Sequence, residues 1–526
     1  MTLEYQGDRV MLNNKIYHQR GESIMPQGIL SYKYEEEKQR TGMTALAGLP
    51  VYLDLASVMG ISESIKQHLQ LRTSQGWTDT QVILSLILLN LAGGDCVDDI
   101  KALEKDEGFS KVLQRVELKS LTRQQRRVTE RRWRKESRRS VPSPSAIFRY
   151  LEPFHDPEEE KKRETGKAFI PVPNDHLIGL MRVNRDMIAS MQKRNPREDA
   201  TLDMDTTLVE TQKTDSLYSY KGYKAYQPVN TWWAEQGVVL STEFRDGNVP
   251  AGHEQLRVFK ESLDMLPEGV EKVYLRSDTA GYQHDLLRYC EKGENERFGK
   301  IEFAIGCDVT KEFKKAVAEI KESEWKTLYK EINEKKVSTG HEWAEVCFVP
   351  NAIAHSKNDP LYRYMATREP LHQEALPGME GQLPFPTMKI DTRHYKIFGI
   401  VTNRDIEGGE LIHWYHKRCG KSEEAHSVMK EDLAGGTLPS GKFGENAAWW
   451  WIMILAFNLN AIMKQLILKE SWLTKRMKAI RFSLINLPGR IIERSRELII
   501  RITKGHPSLE VLLFARQRIM ELASSG

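Results

Sequence analysis

The chain has 526 residues, 40% of them hydrophobic and 29% charged, with a net charge of +4. Its length exceeds one typical core and predicts two to four domains, and its composition excludes an intrinsically disordered chain. Five scattered cysteines (Cys96, Cys290, Cys307, Cys347, Cys419), with no Cys-x-x-Cys pair, argue against a disulfide framework or structural zinc and for a reducing compartment.

Residues 1–45 are polar and irregular, with Glu4 and Asp8 where a signal peptide would be basic. The apolar runs 83–92 and 449–459 are too short or too interrupted to span a bilayer. A soluble, cytoplasmic protein with no membrane partner is expected. Helical periodicity covers 48–113, with Thr78 or Asp79 as the N-cap of a strongly apolar helix and Gly93-Gly94 ending it. Next comes a basic tract. From Lys119 to Arg139, ten Lys or Arg stand against Glu130 and Glu136, so this stretch carries +8 and the remainder −4. One basic element on a near-neutral body fits nucleic-acid engagement. Pro142-Ser143-Pro144-Ser145 then opens another helix.

From Thr201 the pattern turns to strands, at 201–211, 220–231 and 237–244. A helix at 254–266, an apolar strand at 272–277 and another at 303–305 make an α/β core. The segment 307–394 reads as an insertion: a charged helix over 311–335, strands at 342–349 and 361–367, then a Pro/Gly-rich stretch. A strand resumes at 395–401, a helix follows over 410–434, and the region from Trp449 onward reads as helical and basic.

Three acidic segments fall at informative places. Alternation puts Asp203 and Asp205 on one face of their strand. Asp278 ends an apolar strand, where a charge is costly unless a cation or water compensates it. Glu423 lies seven residues before Lys430 and so shares its helix face, while Glu424 points about 100° away. Trp449-Trp450-Trp451 sits in an apolar run and reads as core. His413, His416 and Cys419 lack the fourth ligand of a zinc site.

These residues resemble the DDE transposases of bacterial insertion sequences, in the subgroup marked by a Tyr-x-x-Arg, Glu, Lys signature. Here it reads Tyr415-His416-Lys417-Arg418, Glu423 and Lys430. Asp205-Thr206-Thr207 is similar to the first Asp motif, and Leu275-Arg276-Ser277-Asp278 to the second. Spacings of 73 and 145 residues between the acids suit members with a β-rich insertion before the Glu. Four residues separate Arg418 from Glu423, where the usual signature has three. The Glu-to-Lys spacing selects Glu423, with Glu424 as the alternative.

The resemblance implies an α/β (α+β overall) fold with an RNase H-like catalytic core, interrupted by a β-rich insertion and flanked by helical N- and C-terminal regions. The corresponding domains are 1–113 (helical), 114–200 (basic tract and connecting helices), 201–306 (core, first part), 307–394 (insertion), 395–460 (core, second part) and 461–526 (helical). It further implies that Asp205, Asp278 and Glu423 are the catalytic acids and hold two Mg²⁺ or Mn²⁺ ions per active site. Tyr415, Arg418 and Lys430 would contact DNA, joined by Arg126, Arg127, Arg131, Arg132 and Arg134 of the basic tract. The partners would be double-stranded DNA, as transposon ends and target, and a second protomer in the synapse. The implied activity is DNA cleavage and strand transfer at terminal inverted repeats. The alternatives are a catalytically inactive DNA-binding protein on the same fold and, from paired carboxylates alone, a glycosidase.

Overall fold

The Asp205 strand lies in the middle of a mixed ten-stranded sheet. The computed structural model describes residues 41–524 apart from 72–75, 120, 136–138, 165, 333–334, 351–358, 372–384, 391–392 and 495–496. From one edge the strands run Lys326–Ile332, Lys335–Val346, Arg363–Pro370, Arg393–Thr402, Glu302–Cys307, Lys272–Ser277, Asp199–Thr206, Val229–Trp233 and Val238–Glu243, with Thr387–Ile390 pairing Arg393–Thr402. Asp199–Thr206 is parallel to Lys272–Ser277, which is parallel to Glu302–Cys307; the other pairs are antiparallel. The two Asp-bearing strands are therefore neighbours that run the same way, the adjacency an RNase H-like core needs, and each delivers its acid at its carboxyl end.

The core is built where the apolar sequence dictates. Phe443–Ile462, which continues through a wide turn at Met463–Ile467, is apolar on all sides and buried almost throughout. By length and composition it has what a membrane-crossing helix needs, yet 78% of its apolar window is buried inside the protein. It packs on Asp79–Ala92, on Asp175–Arg194 and on the Val238–Glu243 strand. Trp449, Trp450 and Trp451 are all buried, so this run is core. The Asp79–Ala92 helix starts at Thr78, whose side chain and that of Gln81 form a capping box, and ends at Gly93 with φ 100°. Ser143 caps Pro144–Leu151.

Three expectations are corrected. The charged segment 311–335 is helical only over Lys311–Ala318; Lys326–Ile332 is a strand paired antiparallel with Lys335–Val346. Its Lys and Glu residues favour helix weakly, and pairing with burial of Leu328 overrides that preference. Both strands extend the core sheet at its edge. The expected helix 410–434 breaks at Gly420, φ 77°, between Gly408–His416 and Lys421–Ser427. The C-terminal region carries a hairpin, Gly489–Arg494 with Glu497–Ile502, rich in β-branched Ile residues, before its last helix Ser508–Ser524.

Candidate active site

Asp203 and Asp205 share a face of one strand but meet different partners. In the parallel register Asp203 stands opposite Arg276, and the two form a bidentate pair, Nε to Oδ1 at 2.6 Å and Nη2 to Oδ2 at 2.7 Å. Both side chains are buried, and Arg276 also donates Nη1 to the Trp414 carbonyl at 2.6 Å. Asp203 is thereby neutralised within the sheet.

Asp205, one pleat further on, has no such partner. Its Oδ1 accepts the Thr206 N–H at 2.9 Å, and its Oδ2 lies 3.5 Å from Arg418 Nη2. Burial pushes its carboxyl above the ordinary range, against the pull of Arg418 and the Ser422 hydroxyl, while the charge of Glu423 pushes it further up. Asp278, at the end of the neighbouring strand, accepts the Ala280 N–H at 3.0 Å and caps the short turn Thr279–Gly281. Burial raises its carboxyl too, and the charge on Asp205 is the next cause. Two half-buried carboxylates that repel each other are what a divalent cation relieves.

Glu423 stands in the first turn of Lys421–Ser427, and its Oε2 accepts the Gly420 N–H at 2.6 Å, a capping contact. Its charge reaches Asp205, whereas Glu424 acts on Lys464 instead. Among the described residues, no three His, Cys, Asp or Glu side chains converge as a metal cluster. The gathering of all three acids expected from the sequence is thus not made in this conformation, because Glu423 caps its own helix and Arg418 lies against Asp205. The donor chemistry nevertheless fits a hard divalent cation, since Asp205 and Asp278 offer carboxylate oxygens in a negatively charged, half-buried place.

The expected DNA-contacting residues are differently disposed. Tyr415 is buried, and its hydroxyl donates to the Ser277 carbonyl at 3.2 Å, beside Asp278. It braces the Asp278 strand rather than facing solvent, because Gly408–His416 packs that face inward. Arg418 is nearly buried, and Asp205, Asp278 and Asp203 all stabilise its charge. Lys430 is half-buried and donates to the Leu208 carbonyl at 3.2 Å. Burial holds its ammonium below the ordinary range, opposed by Glu431 and reinforced by Lys221. The basic tract forms the helix Arg123–Lys135. Arg127 is exposed there, Arg126 donates to the Leu118 carbonyl at 3.1 Å, and the side chains of Arg131, Arg132 and Arg134 lie outside the described residues.

The structure adds residues that sequence reasoning missed. Asn230 stands opposite Asp205 in the antiparallel register, and its Nδ2 is 3.2 Å from His426 Nε2. Burial pushes His426 down to about 4, so it is neutral, and the Asn230 amide makes Nε2 the acceptor. Asn230 Oδ1 accepts from Thr242 Oγ1 at 2.7 Å, and Thr242 Oγ1 accepts from Trp450 Nε1 at 3.0 Å. A hydrogen-bonded chain thus runs from the core helix to a recess of about 420 Å³ lined by Asp205, Glu423, His426 and Lys430. Only Arg276 left a trace in the sequence, as a charge inside an otherwise apolar strand.

Compared with known proteins, residues 36–376 and 382–524 match the profile described as transposase DDE domain group 1. A cryo-EM structure of a piggyBac transposase synaptic complex with hairpin DNA is similar at TM-score 0.41 and 10% identity, over 93% of this chain and 83% of that one. No curated protein matches.

Proposed function

Because this chain belongs to the family of transposases with a group 1 DDE domain, we propose that it binds the terminal inverted repeats of its own mobile element and cuts and joins DNA there by two-metal phosphoryl transfer. The observation that carries this reading is the placement of Asp205 and Asp278 at the carboxyl ends of adjacent parallel strands, half-buried and mutually repelling.

In this reading Asp205 and Asp278, with Glu423 once released from the Gly420 N–H, would hold the cations, Mg²⁺ or Mn²⁺. Bound divalent ions lower the pKa of an attacking water or 3′-hydroxyl and stabilise the leaving 3′-oxygen. Arg418 and Lys430 neutralise the phosphates flanking the scissile bond, and Tyr415 keeps the Asp278 strand end in place for them. Asn230 fixes the neutral His426 at the floor of the recess. The basic helix Arg123–Lys135, through Arg126, Arg127, Arg131, Arg132 and Arg134, grips the duplex away from the chemistry. Two protomers pair two ends in a synapse. The element is read as a bacterial insertion sequence, and the protein as cytoplasmic, on the nucleoid when DNA-bound.

The test uses duplexes taken from the DNA bordering the reading frame, incubated with and without Mn²⁺. Cleavage and strand transfer should need the metal, and both Asp205→Ala and Asp278→Ala should abolish them while circular dichroism is unchanged. Strand transfer by either variant sinks the assignment. The second reading, a non-catalytic DNA-binding protein, is favoured by the contact of Arg418 with Asp205; duplex binding without metal-dependent cleavage would select it.

A further inference from the structure

Directly after Thr206 the chain leaves the main sheet, and it returns at Val229. Between lies a small antiparallel sheet in which Lys224–Tyr226 pairs with both Val209–Glu210 and Leu217–Tyr218. Its base is fixed. Ala225 and Tyr226 are buried, the Tyr226 ring stands 4.8 Å from that of Phe244, and its hydroxyl is 3.4 Å from Asn446 Nδ2. Gly247 passes so close that a Cβ there would lie 2.5 Å from the Ala225 carbonyl. The tip is ordered as well. The Ser219 N–H donates to the Tyr223 carbonyl at 2.8 Å, and the Gly222 N–H donates to the Ser219 carbonyl at 2.9 Å, with Gly222 at φ 83°.

Yet this fixed tip holds aromatic rings out in solvent. Tyr220 is 76% exposed and Tyr218 65%. The Lys221 ammonium lies 5.9 Å from the Tyr220 ring centre. Tyr220, Lys221 and Tyr223 line the recess that also holds Asp205 and Glu423, and Lys221 acts electrostatically on Lys430. An aromatic face, two ammonium groups and a pair of acids thus converge on one recess. Exposed rings interleaved with cations are the chemistry that binds single-stranded nucleic acid, through base stacking and phosphate contacts.

We propose that the hairpin tip is a nucleotide clamp for the reaction assigned above, on which this inference rests. The Tyr220 ring stacks on an unpaired base next to the scissile phosphate, and Lys221, with Lys430, holds the adjoining phosphate. An unpaired base fits where a duplex does not. Bases in a duplex hide their faces against one another, and only an extruded or end nucleotide offers a face to a ring. A recess of about 420 Å³ has room for one nucleotide.

The experiment uses the full chain and a duplex from the DNA bordering the reading frame, made with a single-stranded overhang at the cleavage position. The overhang nucleotides are made abasic one at a time. With all bases present, Tyr220→Ala should bind about 5- to 100-fold more weakly than the unaltered protein, and Tyr220→Phe within about twofold. At one abasic position the unaltered protein should fall to the level of Tyr220→Ala. Tyr218→Ala, whose ring lies off the recess, should bind normally. A deficit in Tyr220→Ala that persists with every abasic substrate overturns the clamp. So does normal DNA binding by Tyr220→Ala with an altered sedimentation coefficient, which assigns the ring to a contact between protein copies. Failure of the unaltered protein to bind the bordering duplex refutes the transposase reading itself, and the clamp with it.

Discussion

Arg418 and Asp205 approach to 3.5 Å, and the same guanidinium is within electrostatic reach of Asp278 and Asp203. One cation of the chain therefore stands where the negative charge of Asp205, Asp278 and Asp203 is concentrated. Replacing it, as in Arg418→Met, leaves Asp205 and Asp278 uncompensated. The expected loss is about 1–3 kcal/mol of stability in metal-free buffer, measured by denaturant unfolding. Mn²⁺ should then raise the melting midpoint of Arg418→Met more than that of the unaltered protein. Equal shifts would show that Arg418 and the metal do not answer the same charge.

Asp203 and Asp205, two residues apart, should separate cleanly on substitution. Asp203→Asn leaves the buried Arg276 guanidinium without its counter-charge, which is expected to cost about 3–5 kcal/mol. Asp205→Asn removes one of two repelling carboxylates, so stability should stay within about 1 kcal/mol while strand transfer is lost. Unfolding curves and a strand-transfer assay on both variants check this. A strongly destabilised Asp205→Asn would contradict it.

Asp246 gives a pH dependence of known sign. It is buried, its Oδ2 takes a 2.8 Å bond from Arg163, and its Oδ1 has no hydrogen-bond partner. Burial pushes the carboxyl up to about 7, opposed by Arg163 and reinforced by Glu160. The native state thus keeps a proton that the unfolded chain releases near pH ~3.9. Its contribution to stability falls as pH rises between about 4 and 7, by an amount of the order of a few kcal/mol. Asp246→Asn should flatten that slope, seen by comparing unfolding midpoints at acid and mildly alkaline pH. Parallel profiles for the two proteins would refute the assignment.

Trp450 ties the core to the site through Thr242 and Asn230. Trp450→Ala should cost about 3–5 kcal/mol by cavity formation. Trp450→Phe retains most of the ring volume and removes the N–H donor, so a smaller loss of about 1–3 kcal/mol is expected. Thermal unfolding of the pair measures the difference, and equal losses would mean the hydrogen bond adds nothing.

Local chemistry made much of this legible in the sequence. Thr78, one of two N-cap candidates, the Pro142–Ser145 helix start and the three tryptophans of 449–451 announce their roles through caps and hydrophobic pattern alone. Asp278 is visible as an acid closing an apolar run, whereas the strand expected over 201–211 already ends at Thr206. What the sequence did not show depends on register across long separations. The pairing of Asp203 with Arg276 requires knowing that two strands 73 residues apart run parallel and in step. The Asn230–His426 contact joins a strand to a helix 196 residues later. The strand at Lys326–Ile332 was hidden by helix-favouring Lys and Glu, whose weak preference yields to sheet pairing.

The turn Val428–Asp432, directly after the Glu423 helix, is a π-helix. Such a turn closes its hydrogen bonds over one more residue than an α-turn does. Gaining or losing a single residue there converts one helix type into the other without breaking the helix. Lineages of this protein can therefore differ by one position between Glu423 and Lys430 while keeping both side chains on the recess. An alignment that forbids a gap in this helix will set Lys430 one position out of step, or take the wrong one of the adjacent Glu423 and Glu424.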